Sequence, residues 1–242
     1  MQNQFDPRTT GVNAATVGVP RAARDAGLRS YMLSVYNYMA SGVLLTGIVA
    51  LLFATSGLAE QVLVTPLRWL IILAPLGFVM AMSFGLNRMK TSTLQALFWA
   101  FAVAMGLSMS SIFLVYTGVS IAQTFFAVAA GFAGLSLYGY TTKRDLSAMG
   151  TFFIMGVVGL FVAILVNMFL RSPGLNLAIS ALGVLIFAGL TAYDTQKIKS
   201  VYFAVAGHGE AMAKTAVMGA LQLYLDFINM FLFLLRFMGD RR

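Results

Sequence analysis

The stretch Ala216–Leu235, AVMGALQLYLDFINMFLFLL, decides the fold. It carries a single formal charge, Asp226, and as a helix it is long enough to cross a hydrocarbon layer ~30 Å thick. A carboxylate at that depth costs roughly 2.5–3.5 kcal/mol on insertion scales, so it marks a functional position by default. The chain has only eight acidic residues among 242, and a second one, Asp194, closes another apolar run.

Such runs recur seven times: Tyr36–Thr55, Leu67–Leu86, Leu94–Tyr116, Ser120–Tyr138, Ala148–Leu170, Leu175–Tyr193 and Ala216–Leu235. With 60% hydrophobic and 10% charged residues, the composition is far from that of a soluble globular chain, in which about a quarter are charged. Lipid offers backbone amides no partner, and the ~10-residue alternation of a membrane barrel is missing, so the spans must be helices. The expectation is an all-α membrane protein, a seven-transmembrane-helix bundle over residues 31–239. Residues 1–30 lack the apolar stretch of about 7–15 residues that a secretory signal needs. They read as a disordered cytosolic tail whose arginines can meet anionic lipid. Connections such as Asn87–Ser92, Gly139–Ser147 and Arg171–Gly174 are short, so successive helices are antiparallel neighbours; only Lys197–Lys214 leaves room for a structured loop.

The net charge of +8 is spread over the connections, which points to membrane topology and away from nucleic acid. With the N-terminus inside, Arg8, Arg21, Arg24, Arg29, Arg88, Lys90, Lys143, Arg144, Lys197, Lys199 and Lys214 face the cytoplasm. Arg68, Arg171, Arg236, Arg241 and Arg242 lie outside, so the positive-inside bias favours this orientation. Three of the outer five close the chain, and a re-entrant last segment would return them to the inner side. Disulfides and thiolate metal sites are excluded by the absence of cysteine. The single His208 cannot build a histidine metal site and reads as a solvated loop residue, with pH sensing as the alternative.

Gln222, Asp226 and Asn229 share one helix face, with Gly219 a turn earlier. Such a polar stripe must face protein or water, because lipid would leave each group unsatisfied. The sixth and seventh spans run in opposite directions and are joined by a loop, so Asp194 and Asp226 can meet. Depth is the obstacle: Asp194 lies about 5 Å from Lys197 along its axis, and Asp226 about 18 Å from Lys214, at 1.5 Å per residue. The levels match only if the seventh helix begins well outside the hydrocarbon or the sixth runs deeper. Carboxylates that share a site cannot both ionise cheaply, and they titrate as one coupled unit. Deprotonated, the pair repels itself or takes a cation such as Ca²⁺, which prefers oxygen ligands. Each residue has a plainer alternative: Asp226 satisfied by Asn or Tyr neighbours, Asp194 paired with Lys197 at the interface, Arg88 a positive-inside anchor. Small-residue runs at Ala130–Gly134 and Gly156–Gly159 read as helix-packing contacts. Ser108, Ser110 and Ser111 either line a wet cavity or bond back to their own helix.

LIFAGLTAYDTQKIKSVY (Leu185–Tyr202) and LQLYLDFINMFLFLLRFMG (Leu221–Gly239) resemble the two most characteristic stretches of the Bax inhibitor-1 family. SIFLVYTGVSIAQTFF and LSLYGYTTKRDLSAMG are similar to its bacterial branch. The resemblance covers Arg29 to Gly239. It implies seven helices wrapped around a central C-terminal helix, in the inner (plasma) membrane of the cell with a cytoplasmic N-terminus. It also implies a di-aspartyl pH sensor that governs a Ca²⁺ leak, formed here by Asp194 and Asp226, with Tyr193, Gln222 and Asn229 as supporting polar groups. A family arginine that latches the sensor falls on Arg88. Some calcium-leaking relatives carry a glutamate within the second helix, where this chain has Gly77. No cofactor is expected beyond Ca²⁺ as the bound or transported ion, and no nucleic acid.

Two other functions compete. Tyr193-Asp194 resembles one motif of intramembrane aspartyl proteases, but their second aspartate follows a Gly-x-Gly pattern and Asp226 follows Leu223-Tyr224-Leu225, so no enzyme is expected. The other is a non-conducting regulator that binds a membrane protease or another membrane complex, a role the basic N-terminal tail would suit.

Overall fold

The computed structural model describes residues 21–242, so residues 1–20 of the expected tail lie outside the described residues. Among the described residues the helices are α1 (Arg21–Thr55), α2 (Leu58–Leu63), α3 (Leu67–Gly85), α4 (Thr91–Met109), α5 (Ser111–Val115), α6 (Gly118–Thr141), α7 (Ser147–Leu170), α8 (Pro173–Val205) and α9 (Gly209–Met238). Seven spans are long and apolar enough to cross a membrane, α4 and α5 together making one of them. The molecule is the expected all-α membrane bundle.

The differences lie at one end. α1 starts at Arg21 instead of Tyr36, α8 continues to Val205, and α9 starts at Gly209. Residues 21–30, expected in the tail, are therefore helical, and the expected Lys197–Lys214 loop shrinks to Ala206–His208. The physical reason is an apolar stripe that mean hydropathy does not register. Leu28, Tyr31, Met32, Val35 and Met39 recur at helical spacing on α1 and are all buried. Ile198 and Tyr202 continue the buried face of α8, and the Tyr31 and Tyr202 rings lie 5.4 Å apart. Charged residues share these segments, but on the solvated side.

α9 is the centre of the bundle, as the resemblance implied. Two-thirds of its apolar window (67%) is buried, against 6% for α7; α8 packs on it most extensively, then α1, α6 and α4. Tyr224 sits at the join of three helices. The Thr46 hydroxyl donates to the Ala102 carbonyl at 2.8 Å, so the Tyr224 hydroxyl, 2.7 Å away, donates to Thr46. The rings of Phe98 and Phe101 meet Tyr224 edge-on. This surrounds Tyr224 with aromatic carbon and leaves neither its hydroxyl nor that of Thr46 unpaired.

α9 runs unbroken to Met238, and the C-terminal tail is tied down beside the start of α6. The Thr117 amide donates to the Asp240 carbonyl at 3.1 Å, and the Arg242 amide to Val115 at 2.9 Å. The Asp240 amide donates to the Ser120 hydroxyl at 2.9 Å. The last segment is thus one unbroken helix, long and apolar enough to cross a membrane, with no re-entrant turn.

Small residues do not all pack as expected. Gly131, Gly134 and Gly159 face open space, and of the glycines in those runs Gly156 meets a neighbour, Ile186. The tightest approach is elsewhere: a side chain at Gly139 would run into the Ala192 backbone, so α6 and α8 touch beside the residues that matter below. Ser110 bonds back to Leu107 at 2.8 Å, whereas Ser108 reaches across to the Ile71 carbonyl of α3.

Candidate functional site: a buried carboxylate pair between α8 and α9

The antiparallel register of α8 and α9 can be read from two close contacts. A Cβ placed on Gly219 would lie 3.2 Å from Ile198, and one placed on Gly183 would meet the Phe233 ring. Counting back from Ile198 along α8 and forward from Gly219 along α9 by the same four residues sets Asp194 level with Leu223. Gln222 and Asp226 are a turn apart on α9, so Asp194 projects between them. The longer helices resolve the mismatch in depth: α8 carries Asp194 eleven residues before its end, and α9 begins five residues before Lys214.

Asp194 and Asp226 are each 4% exposed. Their carboxyl groups lie within hydrogen-bonding reach of one another, Gln222 reaches Asp194, and the charge of Lys197 acts on both. Asp194 Oδ1 and Asp226 Oδ2 are buried without a hydrogen-bond partner. Two ionised carboxylates have no donor to share, so the arrangement satisfies itself only with a proton, or a cation, between them.

Lys197 is the cation whose charge reaches the pair, at more than ion-pair distance. It stands one turn beyond Asp194 on α8 and is exposed. Arg88 is exposed in the turn that follows α3; among the described residues the ion pair within 4 Å is Lys214–Glu210, so Arg88 makes none with either aspartate. Gln222 joins the pair, but the other two supporting residues do not. Asn229 donates to its own helix at the Leu225 carbonyl, 2.8 Å. Tyr193 turns the other way and packs its ring on Gly150 of α7. His208 is exposed at the start of α9, as expected of a loop residue. Gly77 faces open space on the outer side of α3.

Sequence reasoning missed a hydroxyl chain beside the pair. Tyr36 Oη lies 2.7 Å from Ser136 Oγ, which lies 3.0 Å from Thr195 Oγ1, and Thr195 in turn donates to the Thr191 carbonyl at 2.8 Å. The three side chains come from α1, α6 and α8, and no motif joins them; the one signal was a polar residue, Thr195, directly after Asp194.

A cavity of about 330 Å³ leads to the site from the end where α8 finishes and α9 begins. Tyr31, Ser83, Lys197, Thr215 and Gln222 are among its walls, so it passes Gln222, the residue beside Asp194, and reaches in to Leu225 without being lined by either aspartate. On the other side of the pair, Phe227, Met230 and Phe231 are buried and fill the interior. As a metal site the pair is sparse. Among the described residues no group of three His, Cys, Asp or Glu converges, whereas Ca²⁺ takes about six to eight oxygens.

Known proteins place the chain in a family. The family described as Inhibitor of apoptosis-promoting Bax1 matches residues 28–242. A Rickettsia prowazekii protein is 49% identical over 219 residues, spanning 90% of this chain and 92% of its own length. A Caulobacter vibrioides protein is 46% identical, over 90% and 91%. The inner membrane protein YbhL of Escherichia coli is 44% identical, over 90% and 94%. By the extent of these matches and the helical bundle described above, the chain is a multi-pass membrane protein that belongs to the Bax inhibitor-1 family.

Proposed function

We propose that the chain is a pH-sensitive leak pathway for Ca²⁺ or a related cation, governed by Asp194 and Asp226. It would lie in the inner membrane with its N-terminus in the cytoplasm. One observation carries this reading: two adjacent buried carboxyls, each with an oxygen lacking a partner, behind Gln222 in the wall of a cavity. A purely structural pair would be satisfied by donors on all its oxygens.

Protonated, the pair carries little charge and holds α8 against α9 through the shared hydrogen bond. Deprotonated, it repels itself across the largest helix interface, or draws in a cation through the cavity that Gln222 lines. Two carboxylates and one amide fall short of a calcium storage site and suit transient passage. The positive-inside distribution supports the orientation, which sets the mouth of this cavity on the cytoplasmic side. No catalytic step is proposed for either aspartate.

The test is flux of Ca²⁺ through purified protein in liposomes. A leak that varies with pH is expected. A leak that is absent at every pH overturns conduction, and capture of a membrane protease together with absent flux would establish a non-conducting regulator instead.

A further inference from the structure

A second cavity of about 330 Å³ lies between the α6–α7 connection and α8. Lys143, Arg144, Lys197, Ser147, Ser200 and Tyr193 are among its walls. The connection is fixed onto α8 at several points. Gln196 accepts from the Leu146 amide at 2.9 Å and donates to the Arg144 carbonyl at 2.7 Å, and Lys199 donates to the Tyr140 carbonyl at 2.7 Å. The cavity is thus a built feature of the fold.

Its charge is unbalanced. None of the three cations has an ion pair within 4 Å among the described residues. The one carboxylate in the wall, Asp145, is engaged by Ser147, whose amide donates to it at 2.9 Å. Lys143 and Arg144 stand where α6 ends and α7 starts and Lys197 joins them from α8, at the level where apolar helices give way to charge, and the positive end of the α7 dipole points the same way. Basic pockets between helices at that level take anionic lipid headgroups.

We infer that this cavity binds a phosphate-bearing anion, the headgroup of an anionic membrane lipid, through Lys143, Arg144 and Lys197. Lys197 gives the site its consequence, because the same side chain also lines the cavity that leads to Gln222 and is the cation that acts on Asp194 and Asp226. A bound phosphate draws the Lys197 ammonium outward and weakens its field at the pair, whose other polar neighbour is Gln222. Binding stands on the cavity alone; its effect on a leak rests on the function proposed above.

The experiment uses the full chain in phosphatidylcholine nanodiscs with and without phosphatidic acid, with retained lipid counted by native mass spectrometry. Inorganic phosphate is titrated in a parallel arm. Phosphatidic acid should be retained by the wild type and held about fivefold more weakly for each cation removed in Lys143→Gln, Arg144→Gln and the double variant. Lys143→Arg should restore retention, and Arg68→Gln, at the opposite end of the bundle, should not alter it. Inorganic phosphate that binds with the same variant sensitivity, without retention of lipid, assigns the site to free phosphate and overturns the lipid as its source. No binding of either, or retention unchanged in the double variant with its fold intact by circular dichroism, overturns the site. A leak absent in every lipid while binding follows the variants tells against the function above and leaves this site standing.

Discussion

Asp226 on α9 lies within hydrogen-bonding reach of Asp194 on α8, and Gln222, one turn away on the same face as Asp226, approaches Asp194 from the other side. The relationship follows from helix register. Ile198 against Gly219 and Phe233 against Gly183 fix how the two helices slide on one another, and that register brings both carboxyls to one buried level. The pair is therefore a product of packing along the interface from Gly183 to Ile198 on α8 and from Gly219 to Phe233 on α9, and its separation responds to any shift of α8 along α9.

Lys197, and not Arg88, should tune the site. The Lys197→Gln variant should change the pH dependence of flux, because it removes the charge that acts on both aspartates. Arg88→Gln should leave that dependence as in the wild type, since the charge that acts on the two aspartates is that of Lys197 and not that of Arg88. Flux profiles of the two variants, measured side by side, check this; a larger effect from Arg88→Gln would restore it as the latch.

How much of this could be read from the chain differs by element. The spans are legible because each is a run of about twenty apolar residues. The extra turns of α1, α8 and α9 are not, since Lys197, Lys199 and Arg29 lower the mean hydropathy of segments whose apolar residues lie on one side only. The spacing of Gln222, Asp226 and Asn229 puts them on one face, yet facing a partner depends on rotation about the helix axis. That rotation gives Gln222 to Asp194 and leaves Asn229 to its own backbone. The choice of Lys197 over Arg88 depends on tertiary position, which spacing does not encode. The chain from Tyr36 through Ser136 to Thr195 joins residues up to 100 apart in the sequence, beyond the reach of any local pattern.

Tyr224→Phe should cost about 0.6 kcal/mol, the usual worth of a hydrogen bond between membrane helices, because Thr46 keeps its bond to Ala102. Thr46→Val should cost more, since it strands the Tyr224 hydroxyl in a fully buried place. Unfolding free energies in bicelles give both values.

Gly139→Val should destabilise the bundle by at least about 1–3 kcal/mol, because the new side chain meets the Ala192 backbone, which cannot yield as a flexible side chain would. Gly131→Val, on the same helix but facing open space, should be nearly neutral. Thermal melts of the two proteins in detergent make the comparison.

Hydrogen bonds from the Ser147 hydroxyl and amide hold the Asp145 carboxyl below its ordinary value of 3.8. A folded-state value that is depressed adds stability above the unfolded pKa and loses it as pH falls through the folded one. The start of α7 should therefore stay ordered at neutral pH and loosen only in acid, below the ordinary carboxylate value. Asp145→Ala should be loosened at every pH. Hydrogen–deuterium exchange at Ser147–Gly150, corrected for intrinsic rates, reports this.

The most direct test of the carboxylate pair is Ca²⁺ flux through liposomes over a series of pH values for the wild type, Asp194→Asn, Asp226→Asn and the double variant. Two groups that act as one unit are not additive. Each single variant should flatten the pH dependence, and the double variant should flatten it no further. Wild-type pH dependence retained in both single variants would contradict the account.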